Sequence, residues 1–158
     1  VAGARRPESV FVFDEVHSIQ VNPAWGMARV GGTVHPKSHV QFEARAYHDG
    51  ADDTTGTDDD VDLGMVDAAW SLEEYSATLH DDDIDFVGTI DRSSGLFTPN
   101  LDGPNPERSG NRNNVGDVWV VASFLPVGAG PARPLQARSH LIVTVPLYMR
   151  WDPWGDFR

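Results

Sequence analysis

The stretch VQFEARAYHDG, residues 40–50, is the segment from which the fold of this chain is best worked out. Val40, Phe42, Ala44 and Ala46 alternate there with polar or larger residues. This period of two places one face of a β-strand against a core. The segments VDLGMVDAAWSLEEY at 61–75 and VGTIDRSSGLFTPN at 87–100 follow, and the second predicts two short strands joined by a turn at 91–95. Together the three segments predict a β-sandwich.

More extended runs lie on either side of this region. Residues 19–23 predict a first core strand, and residues 115–124 are apolar on both faces near Val120 and Val121, as in a central strand. Residues 137–148 alternate again, with Pro146 indicating an edge or a strand end. About seven strands separated by turn signals, with a Trp on a middle strand, predict an all-β immunoglobulin-like β-sandwich. A small Greek-key β-barrel is the alternative.

The sequence also indicates boundaries within the chain. We expect an N-terminal arm at 1–15, the sandwich domain at 16–148 and an aromatic C-terminal tail at 149–158. The tail contains Trp151, Trp154 and Phe157, and aromatic residues near a terminus indicate docking on the domain itself or on a neighbour. Trp25 is assigned to the same interface. Residues 73–85 are the one segment with helical character, although acidic residues at its C-terminal end oppose the helix dipole.

Composition limits the classes of partner. The chain has 158 residues, enough to bury a core as one domain. Its formal net charge of −12 repels a phosphate backbone and an anionic membrane, so we expect no nucleic-acid partner. No apolar run approaches the roughly 20 residues of a membrane helix, so we expect no membrane insertion. The first residues lack a signal-peptide core; if the protein is exported, we expect its signal to have been removed.

The chain has 0 Cys, which excludes disulfides, a thiolate nucleophile and CxxCH haem attachment within it. Any redox cofactor is therefore expected in another chain. We identify no catalytic residues, since the histidines have no spacing that indicates a triad. The carboxylates at 81–85 could form an acid–base pair, but a polar loop is the favoured interpretation.

Eight aspartates lie between positions 49 and 67. Hard cations such as Ca²⁺ bind six to eight oxygens from loops of this kind, and Asp49, Asp52, Asp58 and Asp60 are the candidate ligands. The spacing does not match an EF-hand. A solvated acidic hairpin is the other interpretation, and both stay open.

Seven motifs occur in order along the chain: V-x-P-A-W-G-x-A-R-V-G-G (21–32), Q-F-E-A-x-A-Y (41–47), G-T-D-D-D-V-x-L-G (56–64), G-L-F-T-P (95–99), G-P-N-P-E-R (103–108), N-N-x-G-D (113–117) and L-I-V-T-V (141–145). In this order, over residues 16–148, they resemble the C-terminal immunoglobulin-like domain of the α subunit of quinohemoprotein amine dehydrogenase.

The resemblance implies a function. That family's enzyme is periplasmic and oxidises primary amines. Its α subunit combines a dihaem cytochrome domain with sandwich domains, and it assembles with a β-propeller and a small subunit that carries a tryptophylquinone made from Cys and Trp. Because this chain has 0 Cys, the resemblance implies the non-catalytic part, with haem and tryptophylquinone only in partner chains.

The expected role is therefore to hold cofactor-bearing chains together in a periplasmic redox complex, with Trp25, Trp151, Trp154 and Phe157 as interface residues. The alternative is a stand-alone bacterial immunoglobulin-like binding or adhesion module. An acidic enzyme that uses the carboxylates at 81–85 is the least favoured hypothesis.

Overall fold

The computed structural model of the chain describes residues 15–32, 35–76, 82–108, 113–127 and 133–146. In these ranges the chain forms ten β-strands and one single-turn helix. The strands are β1 (Ser18–Asn22), β2 (Trp25–Arg29), β3 (Val40–Gln41), β4 (Glu43–His48), β5 (Val61–Val66), β6 (Ala69–Glu74), β7 (Gly88–Ile90), β8 (Leu96–Pro99), β9 (Gly116–Phe124) and β10 (Leu135–Thr144), and the helix α1 is Asp83–Phe86.

The strands form three sheets with the orders β1-β4-β5, β2-β10-β9-β6 and β3-β8-β7. All pairings are antiparallel except that of β2 with β10, which is parallel. Within the described ranges the sheets stay open and do not close into a barrel. The prediction of an all-β immunoglobulin-like sandwich is confirmed, and the barrel alternative is not.

The run that begins at Val40 passes from one sheet to another. β3 pairs with β8, whereas β4 pairs with β1 and β5, and only Phe42 separates the two strands. The Phe42 amide donates to the Gly95 carbonyl at 3.0 Å, which continues the β3–β8 ladder by one residue. Phe42, Ala44 and Ala46 are buried, as their alternation predicts. This run therefore ties two sheets to a single core.

The core takes apolar side chains from all three sheets. The rings of Phe42 and Trp70 approach at 6.3 Å between centroids, and Phe97 and Leu141 are fully buried beside them. In β9 the even positions 118, 120 and 122 are buried, while Trp119 lies on the opposite face. The prediction of a central strand here is confirmed, since β9 lies between β10 and β6.

In the described part of the predicted helical segment 73–85, which leaves out residues 77–81, helix begins only at Asp83. β6 continues through Glu73 and Glu74, which pair with Trp119 and Val118 of β9. Hydrogen bonding to the central strand β9 outweighs the local helix propensity of Glu73 and Glu74. Helix α1 occupies only Asp83–Phe86. β10 ends at Thr144, two residues before Pro146, so the proline marks a strand end rather than an edge strand.

The predicted arm at 1–15, apart from residue 15, and the predicted tail at 149–158 lie outside the described residues. No helix of the described chain has the length and apolar character that crossing a bilayer requires.

Candidate interaction surface

The outer face of the four-stranded sheet carries a line of aromatic side chains. Trp25 of β2 lies opposite His140 of β10, and His140 lies opposite Trp119 of β9. Tyr75, directly after β6, reaches the same face. Cross-strand neighbours on one face of a sheet are close enough for their side chains to pack. We call Trp25, His140, Trp119 and Tyr75 the aromatic row.

Three members of the aromatic row form a packed cluster. The Tyr75 ring stacks on His140 at 4.3 Å between centroids and lies 5.0 Å from Trp119. Trp119 and His140 are 5.5 Å apart. His140 Nε2 lies 2.8 Å from Asp117 Oδ2, which fixes the imidazole on the sheet surface. The aromatic surface is thus held in one arrangement before any partner is present.

Trp25 is the most accessible member of the row. It is 62% exposed, and Met27, on the same face of β2, is 51% exposed. Large exposed aromatic and apolar side chains that lie together on one face are typical of an interaction site. The structure therefore places Trp25 on the surface, where an interface residue has to be. The other three predicted interface residues, Trp151, Trp154 and Phe157, lie outside the described residues.

A buried ion-pair cluster lies near one end of this sheet. The Arg108 guanidinium donates to the carboxylates of Asp82 and Asp83 and to the carbonyls of Asn113 and Val115, the last two at 2.7 and 2.6 Å. The Arg108 side chain is 10% exposed and that of Asp83 is 8% exposed. We call this the Arg108 cluster. Because Arg108 satisfies four acceptors at once, it fixes the loop that leads into β9.

The Arg108 cluster explains two of the sequence motifs. G-P-N-P-E-R ends in Arg108, and N-N-x-G-D supplies the carbonyls that Arg108 binds. The Asp117 amide donates to Asp83 Oδ2 at 2.7 Å. A Cβ atom at Gly116 would lie 1.9 Å from that same oxygen, so only glycine permits this approach. These motifs therefore encode a structural cluster.

A groove opens beside the Arg108 cluster, where β10 ends. It has a volume of about 430 Å³ and is lined by Asn113, Val115, Gly116, Asp117 and residues 142–145. We call it the β9–β10 groove. Its surface is mainly apolar, with Asn113 and Asp117 as polar groups in its wall.

The carboxylates of the 81–85 segment do not form a free acid–base pair in the part that is described. Asp82 and Asp83 both accept from Arg108, and Asp85 is exposed. This is the arrangement of a structural ion pair, and Asp81 lies outside the described residues.

The aspartates of the 49–60 loop accept hydrogen bonds from the loop itself. Asp49 accepts from the Thr55 hydroxyl at 3.0 Å and lies 3.4 Å from His17 Nδ1. Asp52 accepts from the Thr54 amide, and Asp60 accepts from the Gly56 amide. This hydrogen bonding orders the loop internally, as Asx turns do.

Asp58, the remaining candidate calcium ligand, is exposed. Over the ranges that the structure describes, no group of three or more His, Asp or Glu side chains is arranged to hold a metal ion. Calcium binding by Asp49, Asp52, Asp58 and Asp60 stays a prediction, beside the interpretation of a hydrogen-bonded acidic hairpin.

Hydrogen bonding to the charged form lowers the pKa of Asp59. The Thr57 hydroxyl donates to Asp59 Oδ1 at 2.7 Å, and the Ala51 amide donates to Oδ2 at 2.7 Å. The pKa of Asp62 is lowered by its hydrogen bond to Arg45, and that of Asp91 by donors in its turn. A carboxyl whose pKa is lower in the folded chain stabilises the fold above its unfolded pKa of about 3.9.

We expect the stabilisation from Asp59 to be present at neutral pH and to be lost as the pH falls through its folded pKa. Asp59→Asn should therefore be less stable than the wild type at pH 7, and the difference should shrink below about pH 4. Urea denaturation across pH 3–7 measures it, with the exposed Asp58→Asn as the matched control. A difference that stays constant with pH would contradict the role of the charged form.

Sequence reasoning did not find the aromatic row or the Arg108 cluster. Trp119 is at an odd-numbered position of β9 and His140 is at an even-numbered position of β10, so both side chains lie on the outer face of the sheet. The alternation of residues along these strands already indicates this. That Arg108 meets Asp83, 25 residues away, depends on loop geometry that no periodicity reports.

Comparison with known proteins identifies a family for this chain. A comparison with the curated proteins finds no match. Among solved structures, mouse clustered PcdhgC3 EC1-3 is similar with a TM-score of 0.46 and 14% identity; the match covers 82% of this chain and 33% of that one, so this chain spans about a third of its length. A protein-family model described as quinohemoprotein amine dehydrogenase, alpha subunit domain IV, matches residues 19–154. Since this match covers most of the chain, the chain belongs to the family of quinohemoprotein amine dehydrogenase alpha subunit domain IV.

Proposed function

We propose that this domain is a non-catalytic structural part of a periplasmic redox complex of the quinohemoprotein amine dehydrogenase type, where it holds cofactor-bearing chains together. Membership of the family supports the complex. The observation that supports the holding role is the aromatic row on the outer face of the four-stranded sheet. In this proposal the haem and the tryptophylquinone belong to partner chains, because this chain has 0 Cys to attach or form them.

The physical properties of the aromatic row suit a protein interface. Tryptophan and tyrosine provide much of the binding energy at interfaces when they are buried by a partner. Trp25 offers a large exposed ring, and His140, which lies opposite it on the next strand, packs with Trp119 and Tyr75. The ion pair of Arg138 with Glu73 at 2.6 Å supplies a polar border. Such a surface gains binding energy at low cost in side-chain ordering.

Charge indicates the surface that the partner presents. With a formal net charge of −12, the chain has a field that attracts basic surfaces and repels acidic ones. Electrostatic complementarity of this kind raises association rates and excludes partners of like charge. We therefore expect the partner chain to present an apolar pocket for Trp25 with a basic border.

The test uses the complete subunit that carries this domain, purified gently with its partner chains. Trp25→Ser should weaken the assembly, because a central aromatic residue contributes about 2 kcal/mol, or roughly 30-fold in Kd. Native mass spectrometry over a dilution series measures the fraction of subunit that keeps its partners. Val127→Ser is the matched control, since Val127 is a fully exposed apolar residue outside the aromatic row.

If Trp25→Ser binds its partner chains as strongly as the wild type, the aromatic row does not form the interface. A wild-type subunit that purifies without haem-bearing or quinone-bearing chains would overturn the proposed function. That second result would favour the stand-alone immunoglobulin-like binding or adhesion module.

A further inference from the structure

A pocket of about 280 Å³ lies where three segments meet: the junction of β3 and β4, the connection between β5 and β6, and the turn between β7 and β8. Its wall includes Glu43, Met65, Asp67, Trp70, Ser93 and Ser94, and we call it the Glu43 pocket. We propose that this pocket binds an arginine side chain presented by a partner protein. The pocket shares no lining residue with the aromatic row, so this inference does not depend on the proposed function.

Two carboxylates of the wall carry charge that the described chain does not neutralise. Glu43 and Asp67 are exposed, and neither accepts a hydrogen bond or forms an ion pair with a residue that the structure describes. The nearby cation on β4, Arg45, is already paired with Asp62 at 2.7 Å. The described residues that line the pocket include no Lys or Arg. The wall therefore favours a cationic occupant over a neutral or anionic one.

The apolar part of the wall favours arginine among the cationic side chains. Met65 is 67% exposed, and Trp70 adds an aromatic ring to the same wall. The methylene groups of arginine pack on apolar surface while the charged end stays with its partners. The guanidinium is planar, is more weakly hydrated than an ammonium group, stacks on aromatic rings and pairs with carboxylates through two hydrogen bonds. Apolar groups and carboxylates in one small pocket match this combination.

Trp70 gives an independent reason to expect a ligand that also carries an acceptor. Its side chain is only 6% exposed, yet its indole N–H donates to no acceptor among the residues that the structure describes. A tryptophan N–H usually finds a hydrogen-bond partner when it is buried. A backbone carbonyl of the segment that carries the arginine supplies such an acceptor, whereas a bare metal cation does not. The occupant is therefore a peptide segment rather than a free ion.

The Glu43 pocket is ordered before an occupant enters. Gln41 Nε2 donates to the carbonyls of Phe42 and Ser94, which joins the β7–β8 turn to the β3–β4 junction. Within the turn, Asp91 Oδ1 accepts from the amides of Ser93 and Ser94 at 3.1 and 2.7 Å. An arginine side chain that enters does not have to order these segments, so the cost of binding is lowered.

A peptide titration followed by ¹H–¹⁵N NMR tests the inference in the 158-residue chain at low ionic strength. The probe is acetyl-Gly-Arg-Gly-amide, and the matched control is the same peptide with citrulline, which keeps the shape of the side chain but has no charge. The Trp70 indole signal reports on the Glu43 pocket, and the Trp25 indole signal reports on the aromatic row. The arginine peptide should shift the Trp70 signal to saturation, and the citrulline peptide should leave it in place.

An equal response to the citrulline peptide would overturn the proposal, because the pocket would then not recognise charge. A Trp70 signal that does not move, or a shift confined to the Trp25 signal, would overturn it as well. A lysine peptide that binds as tightly as the arginine peptide would contradict the assignment to arginine. These outcomes are measured without haem-bearing or quinone-bearing chains, so failure here is distinct from failure of the proposed function.

Substitutions of the two carboxylates test the charge directly. Glu43→Gln and Asp67→Asn should each raise the Kd of the arginine peptide about three- to five-fold, as expected for an exposed ion pair. Asp58→Asn removes the same charge from an exposed position outside the pocket, and it should leave the Kd unchanged. An equal loss of affinity in all three variants would show that the net charge of −12, and not the pocket, attracts the peptide.

Discussion

Arg108→Met should lower the free energy of unfolding by about 3–5 kcal/mol, the cost of breaking a buried ion pair by removing one partner. Asp83 would remain buried without its cation, because its side chain is only 8% exposed. The carbonyls of Asn113 and Val115 would lose their donor at the same time. Urea denaturation followed by tryptophan fluorescence measures the change.

Arg138→Met is the matched control for this prediction. Arg138 also pairs with a carboxylate, Glu73, but the two side chains are 52% and 45% exposed. An exposed ion pair contributes about 0–1 kcal/mol, so the control should be close to the wild type. In a double-mutant cycle, Asp83→Asn should cost less in the Arg108→Met background than alone. Equal costs for Arg108→Met and Arg138→Met would show that the buried cluster does not stabilise the fold.

Gly95→Ala should be the second large effect, with a loss of about 2–5 kcal/mol made up of left-handed backbone strain and steric overlap. Gly95 has φ +71°, and a Cβ atom there would lie 2.6 Å from the Phe42 carbonyl oxygen and 2.8 Å from the Trp70 indole. The Phe42 amide also binds the Gly95 carbonyl, so the overlap cannot be relieved without opening the ladder between the strands. Thermal and urea denaturation measure the loss.

Gly56→Ala separates the two contributions. Gly56 has φ +87°, but no heavy atom lies within 4 Å of a Cβ placed there. Alanine at this position should therefore cost only the conformational strain of about 1–2 kcal/mol. If the two variants lose the same free energy of unfolding, the core around Trp70 shifts to accommodate the methyl group. In that case the close packing at Gly95 is not what stabilises the turn.

The sandwich could be predicted from sequence because its strands obey a local rule. Phe42, Ala44 and Ala46 alternate with less buried residues, so burial on one face is readable from the chain itself. That the 40–48 run pairs first in one sheet and then in another could not be predicted from the sequence, because it depends on which strand each half pairs with.

The candidate surfaces could be predicted only in part. Trp25 was predicted as an interface residue because aromatic side chains concentrate binding energy at interfaces, and the structure exposes it. Its neighbours His140 and Trp119 are more than ninety residues away in sequence, and they join it only through the pairing of β2 with β10 and β9. The burial of Arg108 could not be predicted, because a cation in a polar segment gives no local sign of burial.

The parallel pairing of β2 with β10 has a mechanical consequence. Trp25–Arg29 runs alongside His140–Thr144 in the same direction. Tension that enters the domain at its first strands and leaves after β10 pulls these two strands past each other along their own axes. The bonds of the ladder then share the load, instead of opening one after another from an end. The pairing therefore resists traction that is applied along these two strands.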